Sequence, residues 1–156
     1  QLVQSFDTRS YWVASEVLRG GDVANRAAVL KYMVQLCHSC LQTRNYLAAA
    51  AVCNGVSLSP VTRLKQTWSK AGSKVKAQFE SAEKLFSQSK GFAAYKAKYE
   101  EGEERGDVQI PHFVPLLNEL FQLSMLKTEE TEPATEREGA EGGEGAEAEG
   151  AEGEGR

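Results

Sequence analysis

"YLAAAAVCNGVSLSPVTRLKQTW", residues 46–68, decides how this chain is read. Its first half, Tyr46 to Val56, is apolar on every side, so as a helix it belongs in the middle of a bundle. The run of alanines lets neighbouring helices approach closely. Ser59 and Pro60 then read as an N-cap and a first helical residue, because proline lacks the N–H that would be orphaned there. A sharp turn is therefore expected straight after a core helix.

Outward from this stretch, apolar residues recur at helical spacing and no clean alternation competes, which predicts an all-α, multi-helix bundle. Toward the N-terminus, Asn45 can cap the core helix. Asp22 can cap a long helix whose stripe is Leu30, Met33, Val34, Cys37 and Leu41. A first helix starting near Asp7 or Thr8 carries Tyr11, Trp12, Ala14, Val17 and Leu18 before Gly20-Gly21 stops it. Toward the C-terminus, Val75, Phe79, Ala82 and Phe86 form one stripe and Phe92, Tyr95 and Tyr99 a shorter one. "EEGEERGD" (100–107) reads as a polar loop. "IPHFVPLLNELFQLSML" (110–126) reads as a last helix whose start the prolines confine to about Pro115.

Charge divides the chain unevenly. The overall −4 averages residues 128–156, with eleven glutamates and two arginines, and residues 1–127, with sixteen Lys/Arg against eleven Asp/Glu. The expected organisation is a mildly basic domain over 1–127 and a disordered Glu/Gly/Ala-rich tail over 128–156, which has too little apolar area to offset ordering entropy. The lysines are not interleaved with aromatics, which argues against a nucleic-acid stripe. No run of about 18 apolar residues could span a membrane. Three cysteines without an extracellular pattern point to free thiols and the cytoplasm. The chain starts at Gln1 without a leader pattern and reads as a fragment.

Chemistry of the bond-making kind has no support here. Cys37, His38 and Cys40 in "CHSC" lack a second spaced pair, with only Cys53 and His112 left over, so no metal is expected. A glycine-rich phosphate loop and a nucleophile with a base and an acid are both missing, and no cofactor is expected.

"SYWVASEVL", "NRAAVLKYMVQLCHSC", "RNYLAAAAVCNGVSLSPVTRLKQTW" and "IPHFVPLLNEL", in this order and spacing, resemble the catalytic domain of Ras-family guanine-nucleotide exchange factors, the Son-of-sevenless type. The resemblance runs from about Phe6 to about Leu123. It implies an all-α domain that grips switch II of a Ras, Rap or Ral type GTPase and wedges a helix at the nucleotide site. Such a protein regulates a GTPase without bond chemistry of its own, and reaches the inner membrane face only through its partner. Carried over by position, the switch II contacts would be Val3, Asp7, Ala50, Cys53, Asn54, Ser57, Ser59 and His112. Helix packing explains the small residues equally well.

The helix from Pro115 would be the wedge, with one face on the core and another on the partner. Phe121 would reach toward the metal site and Asn118 toward a switch. Trp12, Pro60, Arg63 and Trp68 read as architecture, with Trp12 too large to leave exposed and Arg63 pairing with a carbonyl or carboxylate at the turn. Where the family usually has a glutamate before Gly-Asn-Pro, this chain has Met125 and "LKTEE", which removes that acid unless Glu129 or Glu130 replaces it. The aromatic often found at His112 is also replaced. The hairpin's second arm and the preceding helices are missing, so weak or no exchange by this chain alone is expected. The alternative is a weak or inactive GTPase-docking module of the same fold.

Overall fold

Residues 1–129 are described by the computed structural model, with side chains to Met125. They form eight helices: α1 (Leu2–Leu18), α2 (Val23–Gln42), α3 (Tyr46–Ser57), α4 (Ser59–Thr62), α5 (Lys65–Ala71), α6 (Ser73–Leu85), α7 (Ala93–Glu104) and α8 (Phe113–Glu129). Among the described residues there is no strand, only an isolated bridge between Asn45 and Ile110. Residues 1–121 are one compact unit; in the second unit, residues 122–129 continue α8. The expected tail lies outside the described residues, except that helix extends to Glu129.

The α3 helix is the centre, as its composition requires. Ala49, Ala50, Ala51, Val52, Cys53, Gly55 and Val56 are all buried, and α3 packs on both α1 and α2. Contact with α1 is closest at Gly55, where a Cβ would lie 2.5 Å from the Ser10 carbonyl oxygen and 2.7 Å from Val13 Cβ. Ser10 Oγ donates to the Ala51 carbonyl at 3.0 Å, so a polar group sits between the helices without being orphaned. Around this pair, Val13, Val17, Leu30, Met33, Val34, Val61, Val75 and Phe79 complete the main core.

Two of the predicted caps, Asp22 and Asn45, are present. Asp22 accepts from the Asn25 N–H at 2.8 Å and Asn45 from the Ala48 N–H at 3.0 Å. Asn45→Ala should cost about 1 kcal/mol, the usual worth of such a cap, read as a lower denaturation midpoint at unchanged m-value.

Several sequence expectations need correction. The first helix begins at Leu2, because Thr8 does not cap: its hydroxyl donates back to the Gln4 carbonyl at 2.7 Å, inside a helix already formed. Trp12 is half exposed, since helical spacing turns it away from the buried stripe of Ser10, Val13, Ala14 and Val17.

Ser59 is not the N-cap. Leu58 takes that position without a side-chain cap bond, Ser59 is the first helical residue, and Pro60 is the second, with its ring exposed. A single turn results, and a separate helix starts at Lys65. Trp68 spans the break by donating Nε1–H to the Val61 carbonyl at 3.1 Å, and Arg63 Nε donates to the Ser59 carbonyl at 3.2 Å. Both therefore serve the turn.

The 100–107 loop is also shorter than expected, because α7 continues to Glu104. Gly102 is buried within it, against the Gln109 side chain. Finally, α8 starts at Phe113, with Pro115 buried in its first turn, where a missing N–H leaves no intrahelical bond unmade.

Candidate functional site

Segment 105–112 positions the site. Ile110 N–H donates to the Arg44 carbonyl at 3.0 Å and Tyr46 N–H donates to the Ile110 carbonyl at 2.9 Å, which fastens the strand-like stretch to the start of α3. Arg44, itself in the left-handed region at φ 57°, pairs with Asp107 at 2.7 Å. Two residues beyond Ile110, the His112 N–H donates to Tyr95 Oη at 2.9 Å. The consequence is a histidine ring held among aromatics, with centroids 5.6 Å from Phe6, 5.6 Å from Phe86, 5.9 Å from Phe92 and 5.8 Å from Tyr95.

Beside this ring is a cavity of about 250 Å³. Ala50, Cys53, Asn54 and Ser57 line it from α3, one helical turn apart in pairs, and His112 lines it from the segment before α8. Ala50 and Cys53 are buried, Ser57 is half-buried, and Asn54 is exposed. Asn54 is oriented by its Nδ2–H donating to Ser10 Oγ at 3.2 Å, and Ser57 by its hydroxyl donating to the Cys53 carbonyl at 3.0 Å. Five of the eight residues predicted to touch switch II thus share one cavity.

The other three do not line it. Val3 and Asp7 are exposed on α1, close by helical spacing to the face that carries Phe6 and Ser10. Ser59 is exposed on α4, its carbonyl engaged with Arg63. Asn118 and Phe121 are exposed on α8. The expected core face of α8 is absent beyond Pro115: Phe113 packs edge-on against Phe6 and Val114 and Pro115 reach the body, while Leu116, Leu117 and Leu120 are all more than 40% exposed. An ion pair between Lys96 and Glu119 joins α8 to α7 instead.

Sequence reasoning missed Phe6, Phe86, Gln88 and Phe92 as lining residues. Phe6 carried a signal, since it precedes the buried Ser10 by four positions. Phe92 carried none: it lies in the left-handed region at φ 64°, following Lys90 and Gly91 at φ 51° and 67°, a backbone path that an aromatic residue does not advertise.

Electrostatics fit a binding surface better than a reactive one. Burial lowers the His112 pKa to about 4, so the ring is neutral at physiological pH. Burial also pushes Tyr95 up to about 12. Cys37 is raised, first by its hydrogen bond with Cys53 and then by burial, and burial raises Cys40, which keeps both as thiols. Among the described residues no group of three or more His, Cys, Asp or Glu side chains could hold a metal ion. His38 is exposed and stands against Gln42.

A larger cavity of about 670 Å³ lies between α5 and α6, beside Trp68 and Phe79. Of the candidate residues it gathers only Trp68, whose role is structural. The smaller cavity is the better candidate.

The family model of the RasGEF domain matches residues 1–142. The chain belongs to the RasGEF domain family. This RasGEF domain is 30% identical over 95 residues to Ras guanine nucleotide exchange factor D of Dictyostelium discoideum, covering 61% of the chain and 14% of the relative. It is 29% identical over 87 residues to human Rap guanine nucleotide exchange factor 6, covering 56% of the chain and 5% of the relative. With human Ras-GEF domain-containing family member 1B the identity is 27% over 130 residues, covering 78% and 27%. The chain therefore spans a small part of each of these relatives. No helix among the described residues of the RasGEF domain is long and apolar enough to cross a membrane.

Proposed function

We propose that this RasGEF domain binds a Ras-subfamily GTPase, of the Ras, Rap or Ral type, and promotes release of its bound nucleotide. One observation carries the reading: Ala50, Cys53, Asn54, Ser57 and His112, picked out by position as switch II contacts, line a single cavity. The cavity would receive apolar side chains of switch II, and the exposed face of α8 would act as the wedge, with Asn118 and Phe121 toward the nucleotide site. Val3 and Asp7 would extend the contact along α1, and Ser59 along α4.

The thermodynamic logic is linkage. A protein that binds the nucleotide-free GTPase more tightly must weaken nucleotide binding by the same factor. Each ~1.4 kcal/mol of that difference is tenfold in affinity. No bond is made or broken, so the domain acts as a regulator rather than an enzyme. Free thiols at Cys37, Cys40 and Cys53 support a cytoplasmic setting.

The test is release of a fluorescent GDP analogue from Ras, Rap, Ral and Rho-type GTPases with the domain in large excess. Acceleration confined to Ras-subfamily members is expected, and Asn118→Ala with Phe121→Ala should reduce it at least fivefold. Unchanged release in the presence of a stable complex would replace exchange by docking.

A further inference from the structure

Resting on the exchange-factor reading, a second role for His112 follows from its two nitrogens. The side chain is 5% exposed, and Nδ1 is sealed from solvent with no hydrogen-bond partner. Nε2 is not among the sealed, unpartnered atoms. A sealed nitrogen without a partner is far less costly as a bare acceptor than as a stranded N–H. The proton of the neutral ring therefore belongs on Nε2.

We propose that His112 presents a neutral Nε2–H donor to the cavity and hydrogen-bonds an acceptor oxygen of the GTPase, making it a specificity-determining residue. Phe6, Phe86, Phe92 and Tyr95 surround the ring itself, and Asn54, Ser57, Glu83, Ser87 and Gln88 make up the polar part of the cavity wall. In such surroundings a partner that offers no acceptor leaves the N–H unpaired, whereas one that does is selected. A phenylalanine or tyrosine at this position cannot place a donor at the same point. The carbonyl, carboxylate or hydroxyl oxygen that meets it must come from a side chain or loop small enough for about 250 Å³.

Two measurements test this. Nitrogen chemical shifts of the imidazole, assigned against His112→Phe because His38 is the chain's other histidine, should report the Nε2–H tautomer in the free domain. Binding to the nucleotide-free GTPase should weaken about tenfold in His112→Phe and recover in His112→Gln, whose amide nitrogen reaches the Nε2 position. The Phe variant should also be no less stable than the parent, since it removes the sealed Nδ1, so lost binding is not lost folding. An Nδ1–H tautomer, or His112→Phe binding within twofold of the parent, would overturn the proposal. If the parent domain binds no GTPase, the exchange-factor reading falls and takes this one with it.

Discussion

Gly55→Ala is expected to destabilise the domain by about 3 kcal/mol, the upper end for overpacking. The new Cβ would lie 2.5 Å from a backbone carbonyl oxygen of α1 and 2.7 Å from Val13 Cβ, neither of which can swing aside. The two helices must separate, and the Ser10 bonds to Ala51 and Asn54 lengthen with them. In a domain of this size that should lower the melting temperature by roughly 10 °C or more. Gly102→Ala is the control. Its Cβ would come as close as 2.3 Å, but to the side-chain amide of Gln109, which can move. Its cost should be clearly smaller, even though the approach is closer. Gly55→Ala within 0.5 kcal/mol of the parent would show that α1 and α3 are not locked at this point.

Stability should also fall on mild acidification, through His112. Its pKa is about 4 in the folded domain against 6.5 unfolded, so the unfolded chain binds the proton more readily. The contribution is complete above pH 6.5, shrinks as pH falls toward 4, and is exhausted below that. Its full size is on the order of 3 kcal/mol at 1.36 kcal/mol per pH unit. Carboxylates in general are protonated toward the acid end of this range, so the comparison must be made against His112→Phe. Urea unfolding at several pH values between 7.5 and 4 should give a steeper loss for the parent. Parallel curves would mean that the buried ring is protonated without penalty.

Local chemistry made part of this fold legible. The stripe of Leu30, Met33, Val34 and Cys37 needs only helical periodicity, and α3 needs only its lack of a polar face. Asp22 and Asn45 announce their helices by capping, which is a nearest-neighbour effect. Ser59 and Pro60 announced a start correctly to within one residue, while the break after Arg63 depends on Trp68 reaching back to Val61.

What was not legible rests on contacts between residues distant in sequence. Ile110 pairs with Arg44 and Tyr46, and that pairing, with the His112 N–H bond to Tyr95, brings His112 beside Phe6. No periodicity encodes it. Trp12 and the leucines of α8 show the opposite failure: large apolar residues suggest burial, yet helical phase and the lack of a facing element leave them exposed. For the candidate site, the resemblance supplied five residues of the cavity by position, and packing supplied the aromatics around them.

The most direct test of the central claim is the affinity of the domain for one Ras-subfamily GTPase in its nucleotide-free and GDP-bound forms. Linkage requires that an exchange factor bind the nucleotide-free form more tightly, and a preference of at least a hundredfold, about 2.7 kcal/mol, is expected. Equal affinity for the two forms, or no binding to either by the folded domain, would contradict the account.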